Sequence, residues 1–473
     1  MDMIKVDVCV IGAGSGGLSV AAGASQMGAR VALIEKGAMG GDCLNTGCVP
    51  SKSILAAGHV AQSARDAAGF GVQVTEPDVD WSAVHGHIHD VIAAIKPNDS
   101  QERFEGLGVN VIRAAAAFED ESTVRAGDQL IRARYFVVAT GSSAFVPPIK
   151  GLDQINYFTN ENIFTNSEPV EHLIVIGGGP IGMELAQAHR RLGAKVTVLE
   201  MTRLLIKDDP ELTRVVIQRL QHEGIEFIEG GRNLGLEKDV DSNIVARCET
   251  DDGAQCVTGS HLLIATGRRA NVSGLNLAAA NVTFSERGVA VDARLRSSNK
   301  RVFAIGDVAG PYQFTHMAAY QAGIVIRNML FKLPAKVDYS AVPWVTYTDP
   351  ELAHVGMSEA DARKAGVDIK VLRWSFEEND RAQAEKRTEG LIKVSTTAKG
   401  KILGASIVGL HAGELIQPWI LAISQKMKIG TMASMIAPYP TLAEANKRIA
   451  GNFYTEKLFS EATRRIVRFL LKF

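Results

Sequence analysis

The sequence contains one supersecondary unit twice, and this repeat constrains the fold more than any other feature. The first copy reads VDVCVIGAGSGGLSVAAGASQMGARVALIEK, and the second reads EHLIVIGGGPIGMELAQAHRRLGAKVTVLEM. Each copy has an apolar β-branched strand, a glycine-rich turn, a helix and a second apolar strand that closes on glutamate. This order is typical of a βαβ unit, so two such units are predicted.

The glycine spacing in each turn indicates dinucleotide binding. The first glycine allows a tight turn, the second lets backbone N–H groups reach a pyrophosphate, and the third lets the helix lie against the sheet. The positive end of the helix dipole then faces the phosphates, and the terminal glutamate accepts hydrogen bonds from ribose. A lone triplet would also fit an ordinary turn, but here the flanking strands and the acid agree twice. The predicted residues are Gly12, Gly14, Gly17 and Glu35, then Gly177, Gly179, Gly182 and Glu200.

Further apolar strands follow each copy, and the sequence pattern changes near residue 341. The strands read YFVVATG from 135, HLLIATGRR from 261 and RVFAIGDV from 301. Beyond 341 no glycine fingerprint occurs, and short strand-like runs alternate with turns and a helical tail. The predicted fold is α/β, with two Rossmann-like dinucleotide-binding domains plus a C-terminal α+β domain. The predicted boundaries are 1–150 and 271–340 for the first domain, 151–270 for the second, and 341–473 for the third.

Charge and hydropathy exclude some classes of protein. The 473 residues carry a formal net charge of −1, which gives no electrostatic reason to expect nucleic acid. No apolar run reaches the ~20 residues that span a bilayer. The opening residues run into a strand pattern without the basic start of a secretory signal. We therefore expect a cytoplasmic protein, in which a permanent structural disulfide would be unusual.

Two of the five cysteines, Cys43 and Cys48, lie in GGDCLNTGCVPSK, shortly after the first glycine turn. A structural zinc needs about four ligands, and no second Cys or His cluster lies nearby, so no metal site is predicted. A permanent structural disulfide and a buried pair of thiols without a redox role remain alternatives. Cycling between dithiol and disulfide explains most of the features of this motif. Five helical residues point side chains apart, so Cys43 is expected in a distorted or pre-helical turn. Cys48 is expected near a helix N-terminus, which stabilises a thiolate.

This cysteine motif, with both glycine fingerprints, both ATG strands and AIGD, resembles the flavin-dependent pyridine nucleotide–disulfide oxidoreductases. That family includes dihydrolipoamide dehydrogenase, glutathione reductase and mercuric reductase. The resemblance covers nearly the whole chain. It implies FAD on the first βαβ unit, a nicotinamide nucleotide on the second, and a homodimer interface in the last domain. The implied activity passes reducing equivalents from NADH through FAD to the Cys43–Cys48 disulfide, and on to an acceptor.

The resemblance also implies individual roles. Cys48 would face the flavin, Cys43 would meet the substrate, and Lys52 would approach flavin N5 while paired with Glu184. Asp307 would contact the ribityl chain. Pro180 stands where several relatives carry a tyrosine lid over the flavin, so Ile181 is the expected substitute. Further cofactor contacts are expected from Lys36, Gly41, Asp42, Ala116, Thr140, Gly141, Gly267, Arg268 and Gly306.

The acid at the end of the second copy bears on the nucleotide. A carboxylate at Glu200 suits the free 2′-hydroxyl of NADH and repels the 2′-phosphate of NADPH. Arg203 lies close in the sequence and would soften that preference. NADH is therefore the expected reductant, with NADPH as the alternative.

The acceptor depends on the segment PYPTLAEANKR. Disulfide-reducing relatives carry a histidine where this chain has Tyr439, and they keep the glutamate that corresponds to Glu444. Tyrosine titrates near pH 10, so it is a poor proton shuttle at neutral pH. Mercuric reductase also has tyrosine here, although the sequence RRIVRFLLKF lacks that enzyme's C-terminal cysteine pair. We expect a mercuric-reductase-like enzyme for a small-molecule or metal-ion acceptor, with dihydrolipoyl dehydrogenase as the alternative. A packed interface role for the tyrosine also remains open.

Two further hypotheses concern a role without turnover and the C-terminal segment. A flavin-bound redox sensor without turnover is the non-enzymatic alternative, and the intact cysteine pair argues against it. The tail SEATRRIVRFLLKF reads as a basic amphipathic helix. Such a helix either packs at the dimer interface or lies on an anionic membrane surface.

Overall fold

The computed structural model describes residues 3–473. These residues divide into two compact units. One contains the chain up to Met201 together with Phe227–Val337, and the other contains Thr202–Glu226 together with Asp338–Phe473. Both glycine turns and both cysteines of the motif lie in the first unit.

The first repeat builds a mixed sheet in the order β3-β2-β1-β6-β5-β4. Strands β1, β2, β3 and β6 run parallel, and β4 and β5 are antiparallel additions. The strands are β1 (Met3–Ile11), β2 (Val31–Ile34), β3 (Val109–Ile112), β4 (Ala116–Asp120), β5 (Thr123–Ala126), β6 (Gln129–Val138) and β7 (Ser142–Ala144). The helices of this stretch are α1 (Ser15–Gln26), α2 (Gly41–Asn45), α3 (Cys48–Asp66), α4 (Trp81–Ile95) and α5 (Gln101–Gly106).

The second half of β1, residues 8–11, is continuous in apolar residues because both faces of the strand are buried there. Cys9 and Ile11 belong to one hydrophobic cluster, whereas Val8 and Val10 belong to a second cluster on the opposite face. Helix α1 and its partners cover the second face. A strand that is buried on both sides carries no polar alternation, which is characteristic of parallel sheets.

The second repeat builds its own sheet in the order β10-β9-β8-β14. A separate antiparallel sheet, β11-β12-β13, is inserted in the chain between β10 and β14, and β15 pairs with β7. The strands are β8 (His172–Ile176), β9 (Lys195–Glu200), β10 (Ile225–Glu229), β11 (Arg232–Lys238), β12 (Ile244–Thr250), β13 (Gly253–Gly259), β14 (His261–Ile264) and β15 (Arg268–Ala270). The helices are α6 (Pro180–Arg191) and α7 (Pro210–His222).

The chain then returns to the first sheet. Strand β18 pairs in parallel with β6, in the register Ala304↔Val138. This pairing puts the AIGD segment beside the ATG segment that follows β6. The elements are β16 (Phe284–Ser285), β17 (Gly288–Val289), β18 (Val302–Ala304) and α8 (Thr315–Met329).

The second unit contains an antiparallel five-stranded sheet in the order β19-β20-β23-β22-β21. Its core includes Trp419, which is fully buried and donates from Nε1 to Asn446 Oδ1 at 2.7 Å. The strands are β19 (Pro343–Thr346), β20 (Glu351–Gly356), β21 (Lys370–Ser375), β22 (Leu391–Thr396) and β23 (Ile402–Gly409). The helices are α9 (Glu359–Lys364), α10 (Asp380–Ala384), α11 (Ala412–Leu415), α12 (Gln417–Ser424), α13 (Ile429–Ala433), α14 (Glu444–Leu458) and α15 (Glu461–Leu470). The predicted fold class is confirmed.

Candidate active site

The first glycine turn has the shape of a pyrophosphate cradle. Gly12 has φ +104°, and a Cβ on it would lie 2.5 Å from Ala139 O. A Cβ on Gly17 would lie 1.8 Å from Gly12 O, whereas one on Gly14 would find nothing nearer than Gly41 Cα at 3.9 Å. The first and third glycines are therefore required by the chain itself, and the second keeps a surface open. These residues fit the phosphates of FAD.

The second turn repeats this division of roles. Gly177 has φ +112°, and a Cβ on Gly182 would lie 2.0 Å from Gly177 O. A Cβ on Gly179 would meet no atom within 4 Å. Helices α1 and α6 both begin without a side-chain cap and without an acidic residue in the first turn. Their N-terminal N–H groups therefore suit an anionic ligand.

The two terminal glutamates are held against their own glycine turns. Glu35 Oε2 accepts from Ala13 N at 2.6 Å, and its Oε1 accepts from Gly37 N at 2.6 Å. Glu200 Oε2 accepts from Gly178 N at 2.8 Å. Backbone donors thus fix each carboxylate at the end of its strand, where a ribose would lie. Lys36 is exposed just beyond β2.

The two cysteines occupy adjoining helices. Cys43 lies in the short helix α2, and Cys48 is the first residue of α3, with Gly47 between the helices. Both are free thiols that hydrogen-bond to each other, and Cys48 Sγ also lies 3.4 Å from Thr315 Oγ1. Cys48 lies at the predicted helix N-terminus. The prediction for Cys43 was wrong in detail, because Cys43 lies within a short helix and the distortion occurs after it, in the break at Thr46 and Gly47.

The contact between the sulfurs polarises them in opposite directions. The hydrogen bond from Cys43 lowers the pKa of Cys48 to about 6, with further help from Thr315 and from the positive charge of Lys52. The same hydrogen bond, together with burial, raises the pKa of Cys43 above its ordinary value. At neutral pH, Cys48 is therefore the thiolate and Cys43 is the thiol, which is the reactive arrangement for a redox pair.

Lys52 and Glu184 form an ion pair between helices α3 and α6. Lys52 Nζ lies 2.7 Å from Glu184 Oε2, and the exposed fractions of the side chains are 38% and 7%. Lys52 is four residues after Cys48 in α3, so both side chains project from the same helix face. The ammonium group therefore lies on the thiolate side of the helix.

A second charged network links the cysteine loop to the AIGD segment. Arg268 Nη2 lies 3.3 Å from Asp42 Oδ2, and its Nε lies 3.8 Å from Asp307 Oδ2. Ser142 bridges the same groups, because its Oγ accepts from Arg268 Nε at 2.7 Å and donates to Asp307 Oδ2 at 2.5 Å. Burial raises the pKa of Asp307, and the Ser142 hydrogen bond opposes that rise.

The asparagine after ATGRRA ties the two ATG segments together. Thr140 Oγ1 donates to Asn271 O at 2.7 Å, and Asn271 Nδ2 donates to Thr140 O at 3.0 Å. Gly141 and Gly267 have φ values of +66° and +133°, which L-residues rarely adopt. Both predicted glycines therefore shape their turns.

The remaining predicted residues differ in their contacts, backbone conformation and burial. Gly306 N donates to the buried Gln321 Oε1 at 2.7 Å, which anchors the AIGD turn to α8. Gly41 has φ +61°, and a Cβ there would lie 2.7 Å from Gly14 Cα. Ala116 is buried at the start of β4, and Ile181 is half-buried at the start of α6.

Tyr439 and Glu444 lie in the second unit with different partners. Tyr439 is 67% exposed, and its hydroxyl donates to Asp380 Oδ2 at 2.8 Å. This hydrogen bond raises the pKa of the Tyr439 phenol, and the charge of Glu444 adds to the rise. Glu444 itself forms an ion pair with Arg448 at 2.7 Å. The tyrosine is therefore a neutral donor and not an activated base.

Sequence reasoning missed Thr315, Ser142 and Asp380. Each is a common polar residue without a local motif, and each lies far along the chain from its partner.

Among residues 3–473, no three His, Cys, Asp or Glu side chains are grouped so that they could hold a metal ion. In the same range, no helix is both long and apolar enough to cross a membrane.

The fold and this site define a flavin- and nicotinamide-dependent disulfide oxidoreductase. The family model described as pyridine nucleotide-disulphide oxidoreductase matches residues 6–322, and its dimerisation domain matches residues 342–450. The chain belongs to this family. It is therefore an enzyme that uses FAD and NAD(P)H, and the dimerisation domain supports a homodimer. Nothing supports the sensor without turnover.

The chain is similar to reductases of more than one specificity. It is 34% identical over 458 residues to a mercuric reductase of Streptomyces lividans, covering 95% of this chain and 96% of that protein. It is 32% identical over 449 residues to a dihydrolipoyl dehydrogenase of Geobacillus stearothermophilus, covering 93% and 94%. A solved structure of the HOCl-induced flavoprotein disulfide reductase RclA from Escherichia coli, in complex with Cu(II), superposes with a TM-score of 0.84 at 25% identity, covering 96% of this chain and 100% of that one.

Proposed function

We propose that this enzyme oxidises NADH and uses the reduced Cys43–Cys48 pair for an acceptor that needs no histidine proton shuttle, as in mercuric reductase. FAD, when held by the first βαβ unit, supplies the chemistry that passes the two electrons of a hydride to the cysteine disulfide. The chain's own residues hold the reductant, keep one sulfur ionised and present the other to the acceptor.

The hydrogen bond from Tyr439 to Asp380 carries this proposal. Reduction of a dithiolane such as lipoamide releases thiolates that must be protonated, and a shuttle works best with a pKa near the working pH. The carboxylate of Asp380 raises the pKa of the phenol further above neutrality. Tyr439 therefore suits an acceptor that binds without proton transfer through this position.

A soft metal ion is such an acceptor. Two thiolates are preferred ligands for soft ions. Because Cys48 is already ionised near neutrality, binding an ion between both sulfurs requires the loss of one proton, from Cys43. The similarity to mercuric reductases supports this class of acceptor.

The preference for NADH is supported by the second glycine turn. The carboxylate of Glu200 is fixed by Gly178 N, where it suits a free 2′-hydroxyl and opposes a 2′-phosphate. Arg203, the cation expected to soften this preference, donates to the carbonyls of Ile206 and Asp208 at 3.1 and 3.3 Å. Its guanidinium is thus already engaged by backbone acceptors.

Steady-state NADH oxidation with lipoamide or with Hg(II) plus excess thiol separates the two specificities. We expect slow lipoamide turnover that Tyr439→Phe leaves unchanged and Tyr439→His increases. Cys48→Ser is expected to lose both activities while it keeps bound flavin. Fast lipoamide turnover that disappears in Tyr439→Phe would refute the proposal and favour a dihydrolipoyl dehydrogenase. Glu444→Gln serves as a comparison, because its carboxylate pairs with Arg448.

A further inference from the structure

Helix α15, Glu461–Leu470, and the turn after it divide sharply into two faces. At 3.6 residues per turn, all five charged side chains fall within one narrow arc of the helix. They are Glu461, Arg464, Arg465, Arg468 and Lys472. The large apolar side chains fill the remaining circumference, and they are Ile466, Val467, Phe469, Leu470, Leu471 and Phe473.

The apolar face is not used in the packing of the protein. None of the ten residues of α15 is buried, and the exposed fractions of Leu471 and Phe473 reach 80% and 96%. Leu458 and Phe459, at the end of α14, continue the exposed apolar surface. A contiguous apolar surface of this kind marks an interaction site.

The charges of α15 select the partner. Four basic residues and one acidic residue leave a net charge of +3 on the polar arc. Arg464 and Lys472 have no ion-pair partner within residues 3–473, and Arg465 and Arg468 reach only Glu461, at 3.7 and 3.6 Å. These exposed pairs contribute little, so the arc is complementary to an anionic surface.

A second copy of the chain fits this face poorly. Arg464 and Arg465 flank the apolar face on its two sides, so two such helices packed against each other would place like charges along the seam. Helix pairs are normally stabilised by opposite charges at these flanking positions. The family's dimerisation model, moreover, ends at residue 450, before α15 begins.

We propose that α15 docks the enzyme on the surface of a bilayer that contains anionic phospholipid. The helix lies in the interface plane, its apolar face enters the boundary between headgroups and acyl chains, and its basic arc meets the phosphates. The inference does not depend on the acceptor of the enzyme.

Co-sedimentation of the full-length holoenzyme with vesicles tests this. We expect binding to vesicles that contain phosphatidylglycerol, weak binding to pure phosphatidylcholine, and release near 1 M salt, where screening shortens to about 3 Å. Arg464→Glu is expected to weaken the affinity by about tenfold or more, since each basic residue contributes several-fold. Leu470→Glu is expected to abolish binding. Val240→Glu is the matched control, because Val240 is a 99% exposed apolar residue between β11 and β12, in the other compact unit.

Light scattering after gel filtration provides the second readout. NADH oxidation and dimer mass are expected to be unchanged in Leu470→Glu. If that variant instead dissociates into monomers, the apolar face is a contact between copies and the proposal is wrong. Absence of vesicle binding by the unaltered holoenzyme, or equal binding by all three variants, overturns it as well.

Discussion

The hydroxyl of Thr315 stabilises the thiolate of Cys48, and its removal gives a measurable shift. The two atoms lie 3.4 Å apart, and sulfur is a weak acceptor, so we take the lower end of the 1.5–3 kcal/mol typical of hydrogen bonds to charged groups. Because 1.36 kcal/mol corresponds to one pKa unit, Thr315→Val should raise the pKa of Cys48 by about one unit.

The sign follows from the charge of the thiolate. The pKa of Cys48 is lowered to about 6 in the folded enzyme, so its thiolate forms as the pH rises through that value. In Thr315→Val the same transition moves to about pH 7, and at about pH 6.5 the ionised fraction falls from roughly three quarters to one quarter. Above about pH 8.5, both enzymes are almost fully ionised.

The assay is a pH titration of thiolate absorbance in the anaerobically reduced holoenzyme. Ser51→Ala is the matched control, because Ser51 Oγ donates to the carbonyl of Cys48 at 3.2 Å and not to its sulfur. This control should titrate like the unaltered enzyme. An unshifted curve for Thr315→Val, or an equal shift in Ser51→Ala, would refute the assignment of Thr315.

Three further outcomes are expected. Gly179→Ala should fold and raise KM for NADH at least about tenfold, whereas Gly182→Ala should fail to fold, since its Cβ would lie 2.0 Å from a backbone oxygen. Circular dichroism measures the folding of each variant and steady-state kinetics measures KM. Normal folding of both variants would contradict the separate roles assigned to the two glycines. Lys52→Met should destabilise the protein by about 1–2 kcal/mol in urea unfolding, because it removes the 2.7 Å ion pair to the carboxylate of Glu184, whose side chain is only 7% exposed. Lys52→Arg should restore most of this loss, and equal stability of all three proteins argues against the ion pair. Glu200→Gln should narrow the kcat/KM ratio of NADH to NADPH by about tenfold, and an unchanged ratio places the selectivity elsewhere.

The glycine turns were predictable because each is written in one short stretch of sequence. The strand, the turn, the helix and the closing acid follow one another within a single βαβ unit, and local sterics assign each glycine its role. The sequence therefore predicted the open position at Gly14 and the closely packed position at Gly17, which the structure contains.

The partners of the reactive groups were not predictable in this way. Thr315 is 267 positions from Cys48, and only the docking of α8 in the tertiary fold brings their side chains together. Asp380 is 59 positions from Tyr439, and nothing in the local motif indicates that its carboxylate accepts the hydrogen bond of the tyrosine hydroxyl. A motif identifies residue types at fixed spacing, whereas such long-range contacts depend on the packing of complete elements.

The late return of β18 to the first sheet has a consequence for synthesis on the ribosome. The register Ala304↔Val138 joins strands that are separated by the whole second repeat. The N-terminal sheet thus lacks its last parallel neighbour until more than 300 residues have been translated, although the downstream repeat is already complete. Domains commonly form in the order of their emergence. Here the downstream repeat is free to become native first, and the N-terminal sheet gains its last parallel strand only after nearly two thirds of the polypeptide has been made.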